Sequence, residues 1–373
     1  MNDTSIYIHW PFCVKKCPYC DFNSFVNHNT HHDDWNNAYL KVIEKHYSQH
    51  LRNKNITSIF FGGGTPSLAE PQMIENILNT LQSITTFAVD IEITLEANPT
   101  SIEKQKFQGF KNAGINRVSL GIQSLRNKNL QFLGRNHSVN EAIQAIDIVK
   151  QSFQNYSLDF IYGLPTQTCD EWQEELQEIL LLNSNHLSLY QLTIENGTKF
   201  GALAKQGLLL ELNENVAAEM FEMTYNMTSE YGFNRYEVSN HAKPTYESRH
   251  NLNYWHYGNY IGIGPGAHGR YTNELSERVM TIDIQQPDIW LSSVKQYNHG
   301  IKEQQVLQQN EIAIERIMMG MRTTYGIDSS LLNNKDEILN DMLKENLIHA
   351  VNDKIAATNK GMLILNSIIQ QLI

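Results

Sequence analysis

The stretch IHWPFCVKKCPYCDFNSF, residues 8–25, contains three of the four cysteines of the chain, Cys13, Cys17 and Cys20. Cys13 and Cys17 are separated by three residues, and Cys17 and Cys20 by two, so one tight loop can surround a metal cluster. Three thiolates can hold three irons of a cubane [4Fe–4S] cluster and leave the fourth iron open to an outside ligand. We therefore predict that Cys13, Cys17 and Cys20 bind a [4Fe–4S] cluster.

Two other uses of these thiols compete with a cluster. Structural zinc usually takes four protein ligands, so the three cysteines are an incomplete zinc site unless His9 completes a Cys3His set. A redox pair formed by Cys17 and Cys20 would leave Cys13 without a role. Because the crowded thiols do not form a secreted disulfide framework, metal or cluster chemistry is favoured. We expect the isolated Cys169 to take no part in it.

Outward from the cysteine loop, short apolar stretches typical of strands alternate with stretches of helical spacing. This alternation predicts βαβ units and a parallel sheet, hence an α/β fold. Six units are fewer than the eight of a closed barrel, so we predict a partial (β/α)6 barrel. Polar and glycine-rich segments follow the predicted strands, at the edge where ligands bind in parallel α/β folds. The predicted strands are SIYIHW, ITSIFF, DIEITLEAN, RVSLGIQ, SLDFIYG and HLSLYQL.

The strand-helix alternation ends after about Glu195, and the pattern then predicts two further regions. An aromatic-rich and histidine-rich stretch is followed by mostly helical sequence, a predicted hairpin IHAVNDKIAAT and a last helix. We predict a core over residues 1–200, a barrel extension over 201–300, and a winged-helix-like, mostly helical C-terminal domain over 301–373. GPGAHG, residues 264–269, matches GxGxxG, but no clean βαβ unit follows, so we interpret it as a structural turn near the pocket.

The bulk composition excludes several classes of protein. The 373 residues have a net charge of −11, which argues against nucleic-acid binding because phosphate contacts need clustered Lys and Arg. No apolar run approaches the ~20 residues of a membrane-spanning helix. The N-terminus MNDTSIYIHW lacks the basic and apolar regions of a signal peptide. We therefore expect a cytoplasmic protein without a membrane span.

The cysteine spacing, with an aromatic residue at Tyr19 directly before Cys20, resembles the cluster motif of the radical S-adenosylmethionine (SAM) superfamily. GGGTP, residues 62–66, follows at the distance that these proteins show. The resemblance implies a radical-SAM barrel in which the amino and carboxylate groups of SAM chelate the open iron. Electron transfer from the cluster to SAM implies an electron donor as a partner.

The resemblance extends over nearly the whole chain, to the family related to anaerobic coproporphyrinogen III oxidase. The oxidases carry a further cysteine where this chain has Phe22, and a long extension before Tyr7 that is not expected here. Both differences favour the HemW branch, which implies a haem chaperone that passes haem to an acceptor protein. The alternative is the oxidase reaction, the oxidative decarboxylation of coproporphyrinogen III. The matching motifs are YIHWPFC, FFGGGTPS, LEANP, SLGIQS, LGRNH, DFIYGLPTQT and IGIGPGAHG.

The same resemblance assigns polar and glycine residues at the strand ends to SAM. Glycines allow backbone N–H groups to approach a ligand, carboxylates and amides suit the ribose hydroxyls and the ammonium group, and arginine suits the carboxylate. Some of these positions serve a second SAM in the oxidases, and whether this chain binds a second SAM stays open. The implied SAM residues are Tyr7, Tyr19, Gly63, Gly64, Thr65, Glu96, Gln123, Arg135 and Asp159.

HNLNYW, residues 250–255, resembles the haem-binding element of the HemW branch. An imidazole is a common axial ligand of haem iron, and aromatic rings can cover a porphyrin face. We therefore predict that His250 binds haem on an exposed loop from which haem can leave. The nearby alternatives for the ligand are His256, His268 and His241.

Overall fold

The computed structural model describes residues 3–28, 30–333 and 335–373; the side chains at positions 49, 101, 102 and 104 fall outside this description. All six predicted strands are present as neighbouring parallel strands of one sheet, which confirms the predicted α/β fold. In chain order the strands are β1 Asp3–Trp10, β2 Phe12–Cys13, β3 Phe25–Val26, β4 Asn55–Gly63, β5 Thr86–Ala97, β6 Arg117–Gln123, β7 Asn155–Tyr162, β8 His186–Gln191, β9 Asn234–Arg235, β10 Asn240–Ala242, β11 Asn259–Ile263, β12 His268–Thr272, β13 Arg278–Asp283, β14 Ile301–Val306, β15 Ile327–Asp328, β16 Ile348–Val351 and β17 Lys354–Ala357.

Helices connect the parallel strands and cover the sheet. A π-helical segment, Val42–Tyr47, joins the first two helices, and short 3-10 turns lie at Pro66–Leu68 and Ser329–Leu332. In the described part of the chain, no helix has the length and apolar character needed to cross a membrane. In chain order the helices are α1 His32–Lys41, α2 Ser48–Leu51, α3 Pro71–Ile84, α4 Ser101–Ala113, α5 Asn127–Phe132, α6 Val139–Ser152, α7 Cys169–Leu181, α8 Lys199–Lys205, α9 Glu214–Glu230, α10 Arg249–Trp255, α11 Pro287–Tyr297, α12 Gln309–Gly320, α13 Asp336–Lys344, α14 Asn359–Met362 and α15 Leu365–Leu372.

The main sheet is open, as a partial barrel requires. Counting described residues only, it has 12 strands in the order β14-β13-β12-β11-β1-β4-β5-β6-β7-β8-β10-β9. The centre, from β11 to β8, is parallel throughout, and the strands on both sides of it are antiparallel. Strand β11 adds a parallel strand that the sequence did not predict. This strand is short and lies within the aromatic-rich stretch, so its sequence shows only a weak strand pattern.

Local sequence explains where the covering helices begin and which face they bury. Helices α6 and α7 start with capping boxes, in which Ser138 and Thr168 accept from the backbone N–H groups of Glu141 and Glu171. Helix α3 starts at Pro71, where a missing N–H costs nothing. Each of its buried apolar side chains contributes about 1.5–3 kcal/mol. These side chains recur at helical spacing: Met73, Ile74, Ile77, Leu78 and Leu81.

Alternation along the central strands separates the apolar core from a polar interior. In β1, Ile6 and Ile8 pack in the main hydrophobic cluster with the helices, whereas Tyr7, between them, lines an internal cavity. The other parallel strands repeat this pattern. The sheet is therefore apolar toward the helices and polar toward the barrel interior. Cavity-lining residues of the central strands include Tyr7, Glu96, Arg117, Ser119, Asp159 and Ser188.

The C-terminal region forms a second hydrophobic cluster, which begins at Ile317 on α12. Strands β15, β17 and β16 form a small antiparallel sheet beside helices α12 to α15, as expected for a mostly helical winged-helix-like unit. Strand β14, however, still pairs with β13 of the main sheet. We therefore place the start of the C-terminal unit at α12 rather than at residue 301.

The HNLNYW stretch is not the exposed loop that we predicted. It belongs to helix α10, whose N-terminus is capped by Ser248, which accepts from the N–H of Asn251. The carboxylate of Glu92, on β5, accepts from the N–H groups of Arg249 at 3.2 Å and His250 at 3.1 Å. These caps satisfy the free donors of the first turn and draw His250 into the protein.

Candidate cofactor site

One cavity of about 680 Å³ lies inside the barrel and opens at the C-terminal ends of the parallel strands. Every residue that the sequence predicted for cofactor binding lines it, although these residues come from seven separate segments of the chain. The structure thus brings the predicted residues together, as the shared sheet edge implied. They are Tyr7, Cys13, Cys17, Tyr19, Cys20, Gly63, Gly64, Thr65, Glu96, Gln123, Arg135, Asp159 and His250.

The three loop thiols all line this cavity. Burial raises the pKa of Cys13, and the neighbouring Cys20 and Cys17 thiols raise it further. Burial likewise raises the pKa of Cys20. The hydroxyl of Thr65 donates to the Cys13 sulfur at 3.4 Å. Thiols withdrawn from solvent in one cavity are costly as thiolates without a cation, so this donor set fits a [4Fe–4S] cluster, whose irons supply positive charge.

His9 cannot complete a zinc site without breaking existing hydrogen bonds. Its Nε2 donates to the Asn23 carbonyl at 2.9 Å, so its Nδ1 accepts from the Tyr7 hydroxyl at 2.9 Å. Burial lowers the pKa of His9 to about 4, which keeps the ring neutral. Among the described residues, no three or more His, Cys, Asp or Glu side chains are placed to share one metal ion, whereas a cubane cluster binds each thiol to a separate iron. The zinc alternative therefore has no support.

The glycine turn after β4 lies directly against the cysteine loop. Gly63 has a φ of +115°, and a Cβ there would lie 2.6 Å from the Cε1 atom of His9. A Cβ on Gly64 would lie 2.7 Å from the Phe12 carbonyl oxygen. The Gly64 N–H donates to the Trp10 carbonyl at 2.6 Å. Glycine is therefore required here because the loop and the turn touch through their backbones.

Arg135 links the SAM-side residues to the cysteine loop. Its Nη1 lies 3.5 Å from the Cys17 sulfur, and its Nη2 donates to the Gly121 carbonyl at 3.0 Å and to the side chain of Asn98. Asn98 in turn donates to the Thr65 hydroxyl at 3.2 Å. The guanidinium is thus fixed beside a thiol, where it can serve both the cluster and a ligand carboxylate.

Two carboxyl groups face the same cavity. Burial, with a contribution from the nearby Asp159, raises the pKa of Glu96 to about 8, although the Gly63 N–H donates to Glu96 at 3.1 Å. Burial also raises the pKa of Asp159, which accepts from Ser119 and Ser157, each at 2.7 Å. Two buried acids in one cavity are suited to accept from the amino group and the hydroxyls of SAM.

The remaining predicted SAM residues occupy the cavity wall. Gln123 has a φ of +72° at an irregularity between β6 and β7, which turns its side chain toward the pocket beside Gly121. Tyr19 packs against Phe200 with ring centroids 6.4 Å apart, and its burial raises its pKa. Both remain predictions as SAM contacts. Cys169, at the start of α7, is not among the residues that line this cavity.

Phe22 lies at the rim of the cavity and is 58% exposed. Its carbonyl accepts from Lys16 Nζ at 3.2 Å, and Lys16 donates also to the Ser24 carbonyl at 3.2 Å. Lys16 therefore links the middle of the cysteine loop to the backbone at its end. The aromatic side chain at this position offers no ligand to a metal or to a second cofactor.

His250 lies at the far end of the cavity from the cysteines and is fully buried. Its Nδ1 lies 2.9 Å from the Ser58 hydroxyl and its Nε2 lies 2.7 Å from the Tyr254 hydroxyl. Burial, with a contribution from Arg117, lowers its pKa to about 3. The predicted accessibility of His250 is therefore wrong, because α10 is drawn under the barrel by its caps.

The sequence analysis missed two asparagines that organise the site. Asn98 stands in the EANP motif next to Glu96, so its position was a usable signal. Asn23 gave no signal. Its side-chain nitrogen donates to the Pro265 carbonyl at 2.8 Å and the Gln285 carbonyl at 2.9 Å. This contact ties the cysteine loop to the GPGAHG turn and gives that turn its structural role.

Comparison with known proteins agrees with this geometry. Residues 7–179 match the sequence model of the Radical SAM superfamily. The chain is 40% identical over 270 residues to the protein named heme chaperone HemW of Escherichia coli, covering 72% of this chain and 70% of that one. It is 33% identical over 377 residues to HemW of Buchnera aphidicola from Schizaphis graminum, covering 98% and 97%. The chain belongs to the HemW family.

Similar proteins also occur outside bacteria. The chain is 38% identical over 334 residues to the mitochondrial radical S-adenosyl methionine domain-containing protein 1 of Danio rerio, covering 87% of this chain and 74% of that one. Among solved structures, coproporphyrinogen III oxidase HemN of Escherichia coli matches with a TM-score of 0.83 and 18% identity, covering 100% and 90%. This likeness confirms the radical-SAM barrel fold.

The family membership confirms the cofactor predictions for the cavity. Radical SAM proteins hold a [4Fe–4S] cluster and SAM, and the residues that line this cavity fit both groups. Cys13, Cys17 and Cys20 would hold the cluster, and the Gly63–Gly64 turn, Glu96 and Arg135 would hold SAM. When bound, the reduced cluster supplies a single electron to SAM.

Proposed function

We propose that this protein is a haem chaperone that carries a [4Fe–4S] cluster and SAM in its barrel, binds haem, and passes haem to an acceptor protein. The observation that carries the proposal is the similarity to HemW of Buchnera aphidicola, which spans 98% of this chain and 97% of that protein. The name of that relative states the haem-chaperone activity. We place the protein in the cytoplasm, with an electron donor for the cluster as a further partner.

The oxidase reaction is the competing function. The structural likeness to HemN rests on 18% identity and therefore supports the fold alone. Phe22 stands where the oxidases carry a further cysteine, and its aromatic side chain supplies no thiol there. The oxidase reaction therefore lacks a residue that its family uses, and the chaperone function does not need it.

His250 does not fit the role of haem ligand that the HNLNYW motif suggested. An axial ligand needs a ring nitrogen that can reach the iron, and both nitrogens of His250 already face hydroxyl groups. The ring is fully buried and stacks on Phe60 with centroids 5.0 Å apart. Haem iron at His250 would have to displace the Ser58 or the Tyr254 hydroxyl from a ring nitrogen.

His256, directly after α10, is the better candidate for the haem iron. Its side chain is exposed, and its ring has no hydrogen-bond partner among the described residues. Burial of one side of the ring, with the charge of Lys354, lowers its pKa, so the imidazole is neutral and able to bind iron near pH 7. The ring of Tyr325 lies 5.2 Å away and can border a porphyrin.

Two further features of this surface suit haem. Trp255 has a buried indole nitrogen without a partner among the described residues, so its surroundings are open to rearrangement on binding. Lys354, whose Nζ lies 2.9 Å from Asp328, carries an ammonium group that can exchange this partner for a haem propionate. An exposed imidazole with a single aromatic neighbour can hold haem and still release it, as transfer requires.

Haem titration of matched histidine variants tests this assignment. We expect the wild-type protein to bind haem in an equimolar amount and His256→Ala to shift the Soret band and weaken binding. His250→Gln, which keeps a hydrogen-bonding side chain on the barrel floor, and His268→Ala, which removes another exposed imidazole, should leave the spectrum unchanged. A spectrum that changes in His250→Gln but not in His256→Ala would overturn the assignment to His256.

The chaperone function itself is tested by transfer and by turnover. Haem-loaded protein should restore haem to a haem-free acceptor enzyme, measured as regained acceptor activity. Reconstituted protein with SAM and a reductant should form no protoporphyrinogen IX from coproporphyrinogen III. Decarboxylation under these conditions, or haem loading with no transfer to any acceptor, would refute the proposal.

A further inference from the structure

The barrel cavity extends well beyond the predicted SAM residues. The cysteines lie past the C-terminal ends of the parallel strands, whereas Arg117 and His186 are the first residues of β6 and β8. Both nevertheless line the same cavity. Because parallel strands all start at one edge of the sheet, these two residues lie at the opposite end from the cysteines. The cavity therefore has a floor that the cluster loop does not reach.

Arg117 is a buried cation on this floor with an unsatisfied donor. Its side chain is 2% exposed, and its Nε is buried with no hydrogen-bond partner in the described part of the chain. Glu92 lies 3.9 Å from that Nε, too far for a hydrogen bond. Glu92 thus supplies a countercharge and leaves the guanidinium donors free.

The oxygens of Glu92 cannot easily turn to Arg117, because helix α10 uses them. They accept from the N–H groups of Arg249 at 3.2 Å and His250 at 3.1 Å, and from the Ser248 hydroxyl at 3.4 Å. Moving the carboxylate would uncap α10. A buried guanidinium without hydrogen bonds is costly, and a ligand in the cavity can remove that cost.

The other polar groups on the floor are already paired. His186 has Nδ1 at 2.7 Å from the Ser157 hydroxyl and Nε2 at 2.8 Å from the Tyr236 hydroxyl. Ser119, which also lines the cavity, donates to Asp159. Among the described residues named at this end, Arg117 is therefore the one with an unpaired donor, its Nε.

We propose that Arg117 forms an anion-binding subsite on the barrel floor, beneath the SAM site, for a small monocarboxylate. A guanidinium matches a planar carboxylate through paired N–H donors. Asp159 and Glu96 face the same cavity and disfavour a dianion such as phosphate. The aromatic rings of Tyr7 and Phe60 line the cavity beside this end and suit a short apolar tail. This subsite does not depend on the proposed haem function.

The test uses propionate as the probe, with propionamide of the same shape as the uncharged control. We expect propionate, and not propionamide or inorganic phosphate, to raise the melting temperature of the cluster-loaded protein and to bind in calorimetry. Arg117→Met should weaken propionate binding on the order of 10-fold to 100-fold, the effect of losing a hydrogen bond to a charged group. Arg126→Met, at a surface ion pair with Glu178, is the matched control and should bind as the wild type does.

A second variant keeps the test decisive if Arg117→Met does not fold. Ser119→Leu fills the cavity next to Arg117 and leaves both the guanidinium and Glu92 in place. It should fold, load its cluster and fail to bind propionate. Equal propionate affinity in the wild type and either floor variant would overturn the proposal. An absence of propionate binding to the folded wild-type protein would overturn it as well.

Discussion

The Nη1 atom of Arg135 lies 3.5 Å from the sulfur of Cys17, across 118 positions of sequence. The same guanidinium is held by the Gly121 carbonyl and the Asn98 side chain, so its approach to the thiol is fixed rather than incidental. A donor beside a cluster thiolate stabilises added negative charge and tunes the reduction potential. Arg135 therefore connects the SAM side of the cavity to the cluster side.

Arg135→Met should assemble a cluster with a lower reduction potential than the wild type, because the reduced, more negative cluster loses its donor. Redox titration followed by electron paramagnetic resonance measures this shift. Asn98→Ala, which removes a support of the guanidinium while leaving its charge, should shift the potential in the same direction by less. Unchanged potentials in both variants would contradict a role for Arg135 at the cluster.

Replacing Cys13, Cys17 or Cys20 with alanine should abolish the cluster, since each thiol is expected to hold a separate iron. Anaerobically reconstituted wild-type protein should contain about four irons per chain, the stoichiometry of a cubane cluster. Iron and sulfide analysis together with visible absorbance measures this content. Cys169→Ala is the control and should keep the wild-type iron content. If it lost as much iron as the loop variants, the loop cysteines could no longer be assigned as the cluster ligands.

SAM binding should strengthen as the pH rises toward about 8, the raised pKa of Glu96 in the empty cavity. Below that value Glu96 must lose a proton before its carboxylate can accept from the amino group of SAM, at a cost of up to about tenfold in affinity per pH unit. Calorimetry of the cluster-loaded protein across pH 6–9 would follow the change. In Glu96→Gln the affinity should be low and this dependence absent. A pH-independent affinity in the wild type would argue against the contact.

Asn23→Ala should loosen the cysteine loop, because the side chain donates to two carbonyls of a distant turn. Leaving those acceptors unpaired should cost about 1–3 kcal/mol of stability. The variant should lose its cluster faster in air, measured as the decay of visible absorbance, and melt at a lower temperature. Asn112→Ala, at an exposed helical position, is the control. If the cluster of Asn23→Ala lasted as long in air as that of the wild type, the hydrogen bonds of Asn23 would not be what holds the cysteine loop.

Asp283 should make the fold less stable as the pH rises. Burial raises the pKa of this side chain to about 7, whereas the unfolded chain ionises near its ordinary value. The folded state therefore holds a proton that the unfolded state loses, so stability falls as the pH rises from about 4 to about 7 and then levels off. Asp283→Asn keeps an acceptor for Trp290 and Gly264, and should melt higher than the wild type at pH 8.

The control for this pH effect is Asp288→Asn, at an exposed position of α11. It should follow the wild-type curve of melting temperature against pH. If Asp283→Asn showed the same decline between pH 4 and 7 as the wild type, another group would be responsible for it.

Sequence by itself determined the strands, the cysteine loop and the glycine turn. Strand and helix periods are local, and cysteine spacing within eight residues fixes what one loop can surround. The edge of the sheet where ligands bind also follows from local order, because parallel strands all end at the same edge. For these reasons every predicted cofactor residue was found to line one cavity.

Tertiary structure alone decided which donors are free. From the sequence, His250 is expected to be an available imidazole. In the structure, Glu92 caps α10 and the His250 ring is buried. Its two nitrogens pair with Tyr254 and with Ser58, which is 192 positions away. From the sequence, Arg117 is an ordinary strand residue. The structure places it on the cavity floor, where its Nε has no hydrogen-bond partner among the described residues. Whether a polar atom is satisfied depends on partners that sheet register and helix packing bring from distant segments, and no local pattern records those partners.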